Sequence, residues 1–523
     1  MQQEIQVIET TPRRGQVRGR PGWLVAALVI AAASVVTAGL IAVAGLHGPA
    51  ASAAVISREP AAPASVLTGS PAAISSATAR LLLAAAPGAV VADASSRADV
   101  TRAAAIAGHA HAPLLLLTPG RHVAAQLSAL RPALSALAPR AVLPVGISTG
   151  TLAADLPGVT VVGTASALPA AHPAAPQRHV AVLIHQSRTP AGAALAMAAT
   201  ATARTAGAIV ITLPGYDPRA DPAAIRQLSA AHPSRVIGVG GGFQSARLLG
   251  RRVAVAETGV QLPGGGQVLF PMRRIVALYG VPGVPVLGAL GQQGLHASVA
   301  RAKRVAAQYA RLSKVAVVPA FEIIAAVATG SPGPDRTYSY AASVGDLRPW
   351  VDAATKAGMY VTLDLQPGRA NLLTEAKMYA PLLRLPNVGL ALDPEWKLGP
   401  NQLPMRQIGS VGIGEVNSVV TWLARLTAQY HLPQKLLELH EFRLSMIQDI
   451  SKLDTRQDDL AIVINMDGQG APTTKRATWA AVVANAPHGV FFGWKDFYRK
   501  DTPMLDPAQT LNNHPEPVLI SYQ

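Results

Sequence analysis

Residues 388–396 (VGLALDPEW), 435–442 (KLLELHEF) and 460–470 (LAIVINMDGQG) repeat one pattern. Each is a short β-prone apolar run that breaks into carboxylates, amides or an aromatic at its C-terminal end. Working outward, similar runs occur at Arg274–Tyr279, Lys314–Ile324, Met359–Leu365, Gly489–Gly493 and Pro517–Ser521. With Val388–Leu392, Lys435–Leu439 and Leu460–Met466 they make eight. Helical spacing fills the gaps at Ser298–Leu312, Asp346–Ala357, Leu372–Leu383, Val416–Tyr430, Arg443–Ile450 and Thr474–Asn485. Eight strands with crossover helices in roughly 250 residues predict a (β/α)8 TIM-type barrel over 263–523. An open doubly wound sheet would use fewer units.

Barrel chemistry sits at the C-terminal strand ends. There the sequence offers Glu322, Asp364 and Gln366, then Asp393, Glu395 and Trp396. Further strands add Glu438, His440 and Glu441, then Asn465 and Asp467, then Trp494, Lys495 and Asp496. Carboxylates beside tryptophans suit carbohydrate chemistry, because aromatic faces stack on sugar rings and paired acids serve as acid and base or nucleophile. Asp393 and Glu395 are the foremost catalytic candidates, with Asp364, Glu441 and Asp467 as partners. Glu322, Gln366, Trp396, His440, Trp494 and Asp496 are candidates for substrate contact. Structural readings stand beside these: turn caps for Asp364 and Asp467, a roof over the core for the tryptophans, a buried histidine for His440, and a surface pair of Asp496 with Lys495 or Arg499.

Upstream, AVVAD (89–93), PLLLLT (113–118), AVLPVG (141–146), VAVLI (180–184), AIVITL (208–213) and RVIGVG (235–240) alternate with helical patterns. They predict two related three-layer α/β units, 79–171 and 172–262. Gly238, Gly240, Gly241 and Gly242 follow a strand, but Phe243 fills the third position of Gly-x-Gly-x-x-Gly, so a turn is expected rather than a dinucleotide site. Gly146-Ile-Ser148-Thr-Gly150 has the form of a nucleophile elbow, yet Pro157-Gly158 leaves little room for the helix an elbow needs. There is no His-Glu-x-x-His, and the one close histidine pair, His109 and His111, lies far in sequence from the barrel. No metal and no cofactor are expected.

The segments RADVTRAAAIAG, APLLLLTPG, QLSALRPALSALAPRAVLPVG and LPGVTVVG, between Ser96 and Gly163, resemble the cell wall-binding repeat type 2 of Gram-positive surface proteins. HPSRVIGVGGG echoes its tail in the second unit. The opening of that repeat is reduced here to Ala-Ser-Ser-Arg97-Ala-Asp99, without its aromatic and Glu. The resemblance implies non-covalent attachment to an anionic wall polymer. LDPEW (392–396) resembles the Asp-x-Glu end of the family 18 glycoside hydrolase signature, whose two earlier aspartates fall here at Val388 and Ala391.

Trp23–Leu46 is an uncharged 24-residue stretch preceded by Arg13, Arg14, Arg18 and Arg20. Its length spans a bilayer core, and the flanking arginines predict residues 1–22 in the cytoplasm and the rest outside the cell. A cleaved signal peptide is the alternative, since Ala51-Ser52-Ala53 has the form of a cleavage site. Residues 47–78, rich in Ala, Pro and Ser, are expected as a tether. The 523 residues contain no Cys, which excludes disulfides and thiolate metal sites, and 4% aromatics argue against nucleic-acid stacking. Net charge is +16; between residues 47 and 260, 16 arginines face 7 acidic residues. That balance suits an acidic polymer or membrane surface. The expectation is a single-pass cell-membrane protein that binds a wall polymer or polysaccharide, not nucleic acid, and hydrolyses glycosidic bonds. A non-catalytic glycan binder is the rival, and a two-lobed solute-binding unit over 79–262 a third.

Overall fold

Eight apolar runs close into a barrel. The computed structural model describes residues 53–120, 123–156 and 158–523. Its barrel strands are β1 (Arg273–Gly280), β2 (Ala316–Ala328), β3 (Tyr360–Leu365), β4 (Val388–Leu392), β5 (Lys435–His440), β6 (Leu460–Met466), β7 (Phe491–Asp496) and β8 (Leu519–Tyr522). All pairings between them are parallel and follow chain order, and β1 bonds both β2 and β8, which shuts the ring. These are the eight strands expected from the sequence.

Alternation sorts their side chains. Ile275, Ala277, Val318, Ala320, Leu436 and Val463 form one apolar cluster inside the ring. Their chain neighbours, such as Leu278, Phe321, Ile323 and Leu437, belong to a separate cluster under the helices. The interior is thus apolar at the N-terminal end of the strands and becomes polar higher up.

Crossover helices Leu295–Ala310, Val344–Lys356, Ile413–Gln429 and Pro472–Asn485 lie where helical spacing placed them. Two segments differ. The helix expected over Leu372–Leu383 breaks into Leu372–Met378 and Ala380–Leu383, because Pro381 has no N–H for the carbonyl of Lys377. Arg443–Ile450 is not helical: Ile447–Gln448 pairs with Val411–Gly412, and Asp449 takes a left-handed φ of 59°.

Before the barrel stand two smaller parallel sheets. One orders Leu114–Leu117, Gly88–Asp93 and Ala141–Val145; the other orders Ala208–Leu213, Gln177–His185, Arg235–Val239 and Ala64–Leu67. The last strand corrects the reading of residues 47–78 as a tether. Ala64–Leu67 completes the second sheet, and Pro71–Leu82 is a helix capped by Ser70 that buries Ile74, Ala79 and Leu82. That helix packs on both Val123–Leu137 and Pro190–Thr205, so the two sheets share a core. Local composition masked it, since small residues become helix and strand here through tertiary burial. The expected membrane segment, 23–46, lies outside the described residues. Among the described residues, no helix is long and apolar enough to cross a membrane.

The sheets meet the barrel through ion pairs. Buried Arg219 lies 2.8 Å from Asp217 and 2.8 Å from Asp458, and Arg252 pairs with Asp458 at 2.5 Å.

Candidate active site

Two residues above the apolar layers, the inward positions turn ionisable. Register pairs Tyr279 of β1 with Glu322 of β2, and His440 of β5 with Asn465 of β6. Asp364 is the penultimate residue of β3, Asp393 follows β4, and Glu438 sits two residues before His440. All of these side chains are buried.

His440 is the hub. Its Nδ1 lies 3.0 Å from Asp467 Oδ2, and its Nε2 lies 3.0 Å from Glu322 Oε1, 3.6 Å from Glu438 Oε1 and 3.9 Å from Asp364 Oδ1. Burial and neighbouring Lys495 pull the His440 pKa down, but the bond to Asp467 and the close Glu322 carboxylate outweigh them and leave it well above the ordinary value. Asn465 Nδ2 donates to Glu438 Oε1 at 2.6 Å, and the Tyr279 hydroxyl donates to Asp364 Oδ2 at 3.0 Å while accepting from Gln366 Nε2. Burial, then the charge of Glu322, pushes Glu438 up; burial, then Glu395, pushes Asp393 up. Asp364 rises to about 6, through burial and Glu322 against the lowering pull of His440. Out of water, Asp364, Asp393 and Glu438 hold protons that surface acids lose.

Above this floor opens a cleft of about 440 Å³, lined by Tyr279, Gln366, Glu395, Trp396, Asp467 and Lys495, with Phe442 and Phe497 alongside. Glu395 enters from the 3-10 turn Pro394–Trp396. Burial, then the nearby Asp467, raises its pKa to about 7, against Lys495 and His440. Lys495 stands over the Tyr279 ring, 3.3 Å from its centroid. A second cavity, of about 540 Å³, lies between helices Arg97–Ala110 and Pro190–Thr205 and is lined by His111, Met197 and Arg204, with no carboxylate among its lining. Acid–base chemistry therefore points to the barrel mouth.

The structure brings together Glu322, Asp364, Asp393, Glu438, His440 and Asp467, and places Glu395, Gln366 and Trp396 on the cleft wall. Glu441 is buried with neither carboxylate oxygen hydrogen-bonded, and its pKa rises to about 7 through burial and Asp467. Trp494 and Asp496 are corrections. Both face outward: Trp494 packs against Trp479 and donates to Asp496 Oδ1, and Asp496 lies 3.7 Å from Lys475. Lys495, one residue out of phase with them, points inward instead of forming the surface pair. Tyr279 escaped the sequence reading, although counting by twos from Ile275 and Ala277 reaches it.

The other motifs also resolve. Phe243 is buried, a Cβ on Gly238 would come within 2.8 Å of it and one on Gly242 within 2.5 Å of Tyr216, so these two glycines serve packing. Contrary to expectation, a helix, Thr149–Asp155, does follow Ser148, but the serine hydroxyl caps it by accepting from Thr151 N. Within the barrel mouth, Glu322, Glu438 and His440 each bring one ligand atom within 4.8 Å of the others.

Fold and site define a TIM-type barrel with an acid-rich mouth. No protein family, curated protein or solved structure matches the chain.

Proposed function

We propose that the barrel hydrolyses glycosidic bonds of a wall or extracellular polysaccharide. The supporting observation is that Glu395 and Asp467 share one open cleft, with Glu395 protonated up to about pH 7. Glu395 gives its proton to the departing glycosidic oxygen as the bond to the anomeric carbon breaks. Asp467, held by His440 Nδ1, takes a proton from the incoming water. Trp396 and Phe442 offer apolar faces for sugar rings. The two sheets before the barrel hold the wall polymer, and the 23–46 segment tethers the protein to the outer face of the cell membrane.

Burial of Asp364 and Asp393 beneath the cleft favours a second reading, in which the mouth binds a glycan without cleaving it. Incubating the purified full chain with wall and exopolysaccharide fractions and assaying new reducing ends separates the two. Glu395→Gln should lower release by ~100-fold or more. Unchanged release in that variant removes Glu395 from the chemistry; no release with glycan pull-down intact assigns the binding role.

A further inference from the structure

Beneath the cleft, acid oxygens without a hydrogen bond gather around one histidine nitrogen. Both oxygens of Glu322, Oε2 of Glu438, Oδ1 of Asp364 and Nε2 of His440 are buried without a hydrogen-bond partner. Glu322 Oε1 is close to Nε2, yet off the line of an N–H bond. Buried oxygens left in this state cost free energy unless something cationic completes them. Lys495, a buried ammonium in the mouth, stands over Tyr279 and leaves both Glu322 oxygens unbonded.

We infer that Glu322, Glu438 and His440 bind a divalent transition-metal ion of the zinc or manganese type, with Asp364 at the edge of the site. The spacing fits. Bonds of ~2.1 Å in a tetrahedral site put ligand atoms ~3.4 Å apart. Here Nε2 lies 3.0 and 3.6 Å from the two glutamates, and 3.9 Å from Asp364. The surrounding bonds fit too. With a metal on Nε2 in place of its proton, Asp467 accepts the remaining imidazole proton on Nδ1, the carboxylate–histidine–metal arrangement. Asn465 orients Glu438 in the same way. One imidazole among carboxylates, with no thiolate in the chain, selects zinc or manganese over magnesium or calcium. Three protein ligands leave a fourth position on the side of Asp364.

The site shares the barrel mouth with the proposed hydrolysis but does not depend on it, because binding is read without substrate. The untagged full chain, stripped with a chelator, is titrated calorimetrically with Zn2+ and Mn2+, and with Mg2+ and Ca2+ in parallel. One equivalent of Zn2+ or Mn2+ per chain is expected. Affinity should fall at least ~100-fold in Glu322→Gln and in His440→Asn, and ~10–100-fold in Asp467→Asn, where only the supporting bond is altered. Circular dichroism shows whether each variant is folded. Should a ligand variant fail to fold, Co2+ added to the unaltered chain reports on its own: tetrahedral nitrogen–oxygen ligation gives intense visible bands that Zn2+ quenches. No binding, binding of Mg2+ or Ca2+ in preference, or Zn2+ affinity unmoved in folded Glu322→Gln each overturns the assignment. A metal that binds as expected to a chain releasing no sugar leaves the site standing and removes only the hydrolase reading.

Discussion

The sheets before residue 263 and the barrel after it are built alike, from parallel strands with helical crossovers, but their interiors differ. Among the described residues, Arg219 is the one charged side chain buried in the first region, and it serves the junction with the barrel. The barrel buries acids on or just after β2, β3, β4, β5, β6 and β7. A fold needs only the first kind of interior. Buried acids lower stability unless paired, so a ring of them at the C-terminal ends of the barrel strands is a cost that packing alone does not explain, and it singles out the candidate site.

The sharpest way to break that contrast is Asp467→Asn. Asp467 faces the cleft and holds His440, so the proposed hydrolysis should fall by ~10²–10⁴-fold with little change in the unfolding midpoint. Reducing-end assays beside urea denaturation read both quantities. Activity that survives in a stable variant would make the polar layer a packing feature.

Next in size is Lys475, buried on the outer side of β7. It donates to Asp501 Oδ2 and to the carbonyl of Lys495. Lys475→Met leaves the Asp501 carboxylate buried without its cation, which should cost ~3–5 kcal/mol in urea unfolding. This pair is structural, so activity per folded molecule should hold. Its loss together with stability would show that the outer and inner faces of β7 are not independent.

A smaller effect, of opposite sign, is expected at Glu441. The folded-state pKa is raised from 4.5 to about 7, with burial as the main cause. The folded chain therefore binds the proton more tightly than the unfolded chain. The stability this provides is complete below pH 4.5 and is lost as pH rises through 7. Glu441→Gln removes the loss. The variant should match the parent near pH 4 and exceed it by about 1–3 kcal/mol at pH 8. Paired unfolding curves at the two pH values test this, and equal stability at pH 8 would mean that the carboxylate is solvated after all.

The same contrast explains what the sequence could and could not convey. Barrel strands were legible because each is a nearly pure apolar run ending in acids, and a closed ring needs little else. The mouth was half legible. Asp364, Glu395 and Asp467 do lie at the mouth, but facing depends on parity, and one residue of phase turned Trp494 and Asp496 outward and Lys495 inward. Counting by twos along β7 from Gly493, which pairs with Asn465, recovers the correct side. Residues 64–82 were illegible for another reason. Alanine, serine and proline carry almost no pattern, and their strand and helix exist because the second sheet and two helices bury them.

The smallest prediction concerns the first region alone. Gly146-Ile-Ser148-Thr-Gly150 has a nucleophile's spacing and a helix after it, so motif and local structure agree on catalysis. The hydroxyl decides otherwise. It accepts from Thr151 N at 3.4 Å, a long bond at an exposed helix start, and is thereby committed to capping. Ser148→Ala should cost only about 0.5–1 kcal/mol of stability, the low end for a lost cap. Hydrolysis and glycan pull-down should both be unchanged. An esterase-type nucleophile would instead lose activity on acyl substrates by orders of magnitude, with stability barely moved. The ratio of the two effects, more than either alone, tells a cap from a catalyst at this position.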